Sequence, residues 1–335
     1  MLLSIIIVNY KSTGLVLDCL HTLYKDPGTY PFEIFVVDNA SGDDGQQRIS
    51  SLFPDVTWIT MDNNAGFARA NNEGIRRSRG DAVLLLNADT LPDAATINSC
   101  YCRLRDSHYI AAGVQLLNSD GSSQISGMYV MKGGLNYLLP LPYLGSLIRR
   151  AGQLSGAKKP HALPDAAAPA VEVDWINGAF LMVRKDAIEK AGLLDEDFFL
   201  YAEEAEWCSR LKKVGRLCLY GDLHVIHLQG ETANQEFGSE GKGYYNFFDR
   251  KGLQIMLSNF VRIRKQFGVF WFLVQLFFYI IDIPFFMVGV ILSGLFSKNP
   301  RYSFIQFLQY SKNVNVIIRL SPVIIRNKPY FYKVL

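Results

Sequence analysis

Asn87-Ala88-Asp89 follows an unbroken apolar run, Ala82-Val83-Leu84-Leu85-Leu86. A carboxylate at such a position suits a divalent cation, and a divalent cation suits a diphosphate. The same Asn-x-Asp also serves as a plain turn after a strand. Polar side chains close other apolar runs too: Asn9-Tyr10 after Leu2 to Val8, and Asp38-Asn39 after Phe32 to Val37. On one sheet edge, Asn9, Asp38, Asn87 and Asp89 could together bind a nucleoside diphosphate through base, ribose and metal. A second set of acids, Glu203, Glu204 and Glu206, crowds against Phe198, Phe199, Tyr201 and Trp207. A carboxylate at a helix N-terminus beside aromatics is a sensible general base, although the helix dipole alone also favours acids there. His224 and His227 stand three apart in a last apolar stretch and cannot share one face of a strand. A histidine at a strand end is ordinarily structural; beside a diphosphate, His227 could coordinate metal or hydrogen-bond phosphate.

These side chains have to be held by strands and helices in alternation. Leu2 to Val8, Phe32 to Val37, Val56 to Thr60 and Ala82 to Leu86 read as strands, the last buried on both faces. Leu15, Val16, Cys19, Leu20 and Leu23 recur at helical spacing, and the polar loop from Asp62 to Asn72, with Asn64 in it, leads into a helix through Ile75. Strands about 20 to 25 residues apart with helices between them predict a mostly parallel sheet with right-handed crossovers. Further on come a helix from Ala94 to Leu104, a strand from Ile110 to Leu117, a buried strand entered through Asp174 to Gly178, and a short helix stopped by Gly192. A helix over 203–213 would turn Trp207, Cys208 and Leu211 to the core and Glu204 to another side. Leu217 to Tyr220 and His224 to His227 form the last strand. No G-x-G-x-x-G follows the first strand and no P-loop occurs, so neither a dinucleotide fold nor a P-loop is indicated.

The chain of 335 residues is 49% hydrophobic, ample for a core. Its formal charge of +3 conceals an asymmetry. Residues 251–335 hold eleven Lys or Arg and one acid, Asp282, a net of +10, and the first 250 residues carry −7. Such asymmetry points to nucleic acid or an anionic membrane surface. The five cysteines form no C-x-x-C pair, which fits buried thiols in a reduced compartment. The N-terminus lacks a basic n-region and a cleavage site and reads as a first strand.

Seven motifs in order carry a family resemblance: Ser4 to Tyr10, Val36 to Ser41, Asn64-Ala65-Gly66-Phe67-Ala68-x-Ala70-Asn71-Asn72, Leu85 to Thr90, Asn177 to Leu181, Phe198-Phe199-x-Tyr201-x-Glu203-Glu204, and His227-x-x-Gly230. Over residues 3–250 the chain resembles the family 2 glycosyltransferases, in particular their bacterial rhamnosyltransferase-like branch. The resemblance implies a GT-A fold, a nucleotide-diphosphate sugar donor, a divalent metal (Mg²⁺ or Mn²⁺) and inversion at the anomeric carbon. By position, Asn9, Tyr10, Asp38, Asn39, Asn64 and Asn87 would surround the donor nucleotide, Asp89 would contact the metal, and His227 would approach the diphosphate or its metal. Glu204 falls where the family places its catalytic Asp, with Glu203 able to share the role. Two departures stand out: Asn87 replaces the first Asp of D-x-D, removing an anionic ligand, and Glu204 is one methylene longer than Asp.

The resemblance assigns residues 1–250 to the catalytic domain, with 131–171 as a lid, an acceptor-side loop or a surface helix. Residues 251–335 form a basic helical region. Within it, Gly268 to Phe296 is almost wholly apolar with a single charge at Asp282, long enough to span a bilayer, and interrupted by Pro284. Basic flanks at Arg262-Ile263-Arg264-Lys265 and Lys298-Asn299-Pro300-Arg301 favour helices lying on one anionic leaflet over a span, with a buried core helix as the remaining alternative. The expectation is an inverting transferase at the cytoplasmic face of the plasma membrane, with no nucleic-acid partner. It would move a sugar, first of all rhamnose from its deoxythymidine diphosphate, to a lipid-linked surface glycan. The other readings are a sugar nucleotidyltransferase, which would need a Gly-rich basic loop after the first strand, and an inactive glycan-binding scaffold.

Overall fold

A computed structural model describes residues 2–25, 31–128, 138–154, 170–228, 239, 246–296 and 301–335. Most of 131–171, Gln229 to Thr232 with its Gly230, Tyr244 and Lys298-Asn299-Pro300 lie outside the described residues. The chain divides into two compact units: Met1–Met131 with Pro160–Phe199 and Glu203–Thr232, and Lys132–Lys159 with Leu200–Ala202 and Ala233–Leu335.

The first unit is a nine-stranded mixed sheet with flanking helices. Its first half follows directly from the alternation in the sequence. Strands β1 (Leu3–Asn9), β2 (Phe32–Asp38), β3 (Thr57–Thr60) and β4 (Ala82–Asn87) run parallel in the order β3-β2-β1-β4, connected by α1 (Thr13–Tyr24), α2 (Gly45–Leu52) and α3 (Gly66–Arg77). β1 is central because both of its faces are apolar. Leu3, Ile5 and Ile7 pack with Val16, Cys19 and Leu20 of α1, and Ile6 packs with Ala68 and Ile75 of α3.

After β5 (Thr90–Leu91), α4 (Ala94–Arg105), β6 (Tyr109–Leu117) and β7 (Gly127–Met128), the direction changes. Following α5 (Leu144–Leu154), β8 (Val171–Val173) and β9 (Trp175–Ile176), strand β10 (Phe180–Arg184) enters antiparallel between β4 and β6. The short α6 (Lys185–Ala191) and α7 (Glu203–Leu211) precede β11 (Arg216–His227), which runs parallel to β6 and antiparallel to β5. The two apolar runs expected at the end of the sheet are thus one strand, with an irregularity in its pairing between Tyr220 and His224. His224 is exposed and His227 buried, as their odd spacing requires.

The second unit is helical. α8 (Arg250–Phe296) is broken at Gly268, whose φ of 88° no other residue type adopts cheaply, and contains Pro284. α9 (Phe304–Arg326) starts at a Ser303/Gln306 capping box and stops at Asn327 in the left-handed region. One stripe of α8, namely Phe272, Gln275, Tyr279, Asp282, Phe286 and Val290, is buried at helical spacing. Phe286 packs on Phe307 and Tyr310, Tyr279 stacks on Tyr310, and Arg264 donates to the Ile325 carbonyl, so α9 runs antiparallel along α8. Asp282 therefore faces protein. Its Oδ1 accepts from the Leu144 amide at 3.1 Å, capping the first turn of α5 from outside. The opposite face of α8 leaves Phe270, Phe277, Phe285, Val288, Leu292 and Leu295 exposed. By length and composition α8 is able to cross a membrane.

Candidate active site

Three groups of side chains gather at the C-terminal tips of the parallel strands and at their counterpart from β11, where open α/β sheets bind ligands. The first lies at the ends of β1 and β2. Buried Asn9 donates through Nδ2 to Asp38 Oδ1 at 2.9 Å and Thr13 Oγ1 at 3.2 Å, and its Oδ1 accepts from the Ser12 hydroxyl at 3.0 Å. Asp38 also accepts from the backbone amide and the hydroxyl of Ser41. Asn39 bonds at both ends to the α3 loop: its Oδ1 accepts from the Ala65 amide at 2.9 Å, and its Nδ2 donates to Asn64 Oδ1 at 3.0 Å. Sequence-distant tips thus become one hydrogen-bonded shelf. The turns after β1 and β2 each carry a non-glycine residue with positive φ, Lys11 at 52° and Ala40 at 62°. Such conformations cluster where a surface is shaped for a ligand. Tyr10 sits half-buried at the rim of the shelf, with the Lys11 ammonium 5.3 Å from its ring centre.

The second group depends on β5. This two-residue strand pairs Thr90 with His227 and Leu91 with Ile226, and the Leu228 amide donates to the Asp89 carbonyl at 2.8 Å. That staple brings His227 Nε2 to 3.3 Å from Asp89 Oδ1. On the other side of the ring, His227 Nδ1 lies 2.9 Å from Gln124 Oε1. Asn87 ends β4 half-buried, its amide held by the Ala179 carbonyl at 3.0 Å. Among the described residues no set of three His, Cys, Asp or Glu side chains converges. Two protein donors are nevertheless a workable set for Mg²⁺ or Mn²⁺, which commonly complete their shell with water and substrate phosphate.

The third group opens α7. The backbone enters it through Tyr201 and Ala202, with φ of 70° and 68°, two successive non-glycine residues in a sparsely populated region. The three first-turn acids then separate. Glu206 is taken by Arg210, which holds it at 2.8 Å and bonds the Ala191 carbonyl at 2.7 Å. Glu203 is buried and Glu204 half-buried. Glu204 packs over the Asn177-Gly178 turn, where a methyl on Gly178 would meet its Cβ and Cγ at 3.4 Å. Phe67, at the start of α3, reaches the same spot and donates its amide to the Phe199 carbonyl at 2.9 Å. Gly66, with φ of 84°, allows that approach: any side chain there would run into the Phe199 carbonyl.

All the residues expected from the sequence thus fall into these three groups. Thr13, Ser41 and Gln124 are not singled out by the sequence reading. Ser41 closes one of the quoted motifs and Thr13 lies just past another, but Gln124 sits in an irregular stretch with no motif to mark it.

The family model described as Glycosyl transferase family 2 matches residues 4–156. The low-salt glycan biosynthesis hexosyltransferase Agl10 of Haloferax volcanii is 31% identical over 215 residues, covering 63% of this chain and 62% of that one. The chain is thus similar to glycosyl transferase family 2, over just under half of its own length by the family model and over less than two thirds of the length of Agl10. The N-acetylglucosaminyl-diphospho-decaprenol L-rhamnosyltransferase of Mycobacterium tuberculosis is 25% identical over 237 residues, covering 65% of this chain and 74% of that enzyme. The mannosyltransferase PcManGT from Pyrobaculum calidifontis, solved with GDP-Man and Mn²⁺, superposes with a TM-score of 0.51 at 16% identity, covering 95% of this chain and 87% of that one. The last likeness concerns the fold alone. The matched residues 4–156 take in the shelf at the tips of β1 and β2 and the β4–β5 corner, while α7 lies beyond them.

Proposed function

We propose that the chain is an inverting glycosyltransferase that takes a sugar from a nucleotide-diphosphate donor to a hydroxyl of a lipid-linked glycan. Rhamnose is the first donor sugar to test, since a rhamnosyltransferase acting on a diphospho-decaprenol substrate stands among the relatives. The observation that carries the reading is the Asp89–His227 corner at 3.3 Å, next to a shelf of buried polar groups. The shelf from Asn9, Asp38, Asn39 and Asn64, with Tyr10 at its rim and Asn87 beside it, binds the nucleotide. Asp89 and His227 are the residues that would hold a divalent cation, whose contribution when bound is to neutralise charge on the departing diphosphate.

The acceptor oxygen forms its bond to the anomeric carbon as the carbon–oxygen bond to the diphosphate breaks. The bonding pair leaves with the diphosphate, and the acceptor proton passes to Glu204, with Glu203 buried one position before it. One in-line displacement inverts the anomeric centre and needs no covalent intermediate.

The division of labour we propose gives transfer to residues 1–250 and membrane association to 251–335, at the cytoplasmic face of the plasma membrane. An interfacial placement is favoured over a span. α9 lies antiparallel along α8 and exposes Lys312 and Arg319, so a spanning α8 would carry those charges into the bilayer with it. The exposed apolar face of α8 and the basic residues of the region suit an anionic leaflet instead.

The test is release of nucleoside diphosphate from a panel of sugar nucleotides by detergent-solubilised protein, with Mg²⁺, Mn²⁺ or EDTA, and with or without a membrane lipid extract. Release from one donor that stops with EDTA and rises with the extract supports the reading. Glu204→Gln should lower turnover at least ~100-fold with donor binding retained, and an unimpaired Glu204→Gln enzyme would sink the base assignment. Carbonate washing should strip the protein from membranes; resistance to it would favour the span.

A further inference from the structure

Gln124 is 4% exposed and belongs to no motif, yet each end of its amide is committed. Nε2 donates to the His227 carbonyl at 2.6 Å and to Asn118 Oδ1 at 2.8 Å, while Asn118 in turn donates to the Ser122 hydroxyl at 2.8 Å. A backbone carbonyl can only accept, so this end of the amide must be the nitrogen. The other end, 2.9 Å from His227 Nδ1, is therefore the oxygen, which also only accepts. It follows that His227 carries its proton on Nδ1. In the neutral ring, Nε2 is then a bare lone pair, and it faces a carboxylate oxygen, Asp89 Oδ1, at 3.3 Å. The β5–β11 pairing holds the two there. The Nε2 lone pair and the carboxylate oxygen are thus turned toward one another, as two ligands of one cation would be.

We infer that Gln124 is a positioning residue: it fixes His227 in the Nδ1–H tautomer and so presents Nε2, together with Asp89 Oδ1, as a pair of cation ligands. The inference rests on the reading of this corner as a divalent-cation site. An outer hydrogen bond of this kind orients a ligating imidazole and raises its basicity, and its removal typically weakens metal binding by about 10- to 100-fold.

Two measurements test it without reference to any sugar. The first uses the unaltered protein, free of metal, with ¹⁵N-labelled histidine at pH 8. Long-range nitrogen–proton correlations, with His227→Ala to assign the signal, should show the His227 ring protonated on Nδ1 alone. A ring protonated on Nε2, or on both nitrogens, overturns the inference whether or not the site binds metal. The second is Mn²⁺ binding followed by electron paramagnetic resonance, in Gln124→Met and in Asp89→Asn. Gln124→Met, shown folded by its circular dichroism, should bind Mn²⁺ about 10- to 100-fold more weakly. Unchanged affinity in folded Gln124→Met overturns the positioning role. Mn²⁺ binding indifferent to Asp89→Asn instead overturns the cation reading beneath it, and the two failures are thereby told apart.

Discussion

Asp38 and Asp282 are both buried carboxylates, and the two units treat them differently. Asp38, in the sheet unit, accepts from Asn9 Nδ2 and from the amide and hydroxyl of Ser41. Asp282, in the helical unit, is 0% exposed and accepts from the Leu144 amide at 3.1 Å. Burial there pushes its carboxyl up from 3.8 to about 6, with the Leu144 amide opposing the shift. The contrast fits the role proposed for Asp38. At the strand tips a charge is met by three donors before any ligand arrives, as a pre-organised site requires. In the helical unit a single acceptor closes a helix end, and its charge is a cost.

Breaking the better-supported carboxylate should have the larger effect. Asp38→Ala removes one acceptor from the buried Asn9 amide and the acceptor of two half-buried Ser41 donors, and each such loss costs about 1–3 kcal/mol. We expect a loss of about 3 kcal/mol or more by denaturant unfolding, with donor binding abolished. A stable Asp38→Ala protein would mean that the shelf relaxes freely.

Asp282→Asn should do the opposite. The amide oxygen still accepts from Leu144, and the buried charge is gone. Because the folded protein holds this proton more tightly than the unfolded chain, wild-type stability falls as pH rises from about 4 to about 6 and stays at its lower value above that range. Asp282→Asn should therefore be the more stable protein at pH 7.5, by about 2–3 kcal/mol, with the difference closing near pH 4. Melting curves in detergent at the two pH values measure it, and a gap that persists at pH 4 would show that the acid is not the cause.

The smallest effect comes from a partly exposed acid, against which both buried ones can be measured. Glu73 and Arg77 form an i,i+4 pair at 2.7 Å on the outside of α3, with Arg77 51% exposed. Arg77→Ala should change stability by less than about 0.5 kcal/mol, even in low salt.

The first four strands are legible because each is a short apolar run closed by a polar residue and followed by helical spacing; the sheet order places Asn9, Asp38 and Asn87 on one edge without further information. Glu204 and His227 are legible only through motifs. The direction of β10 is not legible at all, since Phe180-Leu181-Met182-Val183 alternates identically whichever way it runs; it turns antiparallel because the chain re-enters between β4 and β6. β5 is too short for any periodicity, yet it decides where His227 goes. Gln124 escapes notice because the partner on which its proposed role depends, His227, lies at the far end of the same unit. In the tail, one acid in 29 apolar residues reads as a defect of a membrane segment, while its burial against α5 depends on packing that no local pattern announces.

The two-residue staple between β5 and β11 has a consequence in time. The nucleotide shelf joins segments that follow one another within the first quarter of the chain, so its loops close early and at little entropic cost. Asp89 meets His227 only after four further strands of the sheet have been laid down between them, a contact of high sequence separation that folding reaches late. A growing or partly unfolded chain can thus own a finished shelf, the proposed nucleotide site, while the proposed cation corner is still open. Such an intermediate would be able to hold a nucleotide sugar but not to spend it.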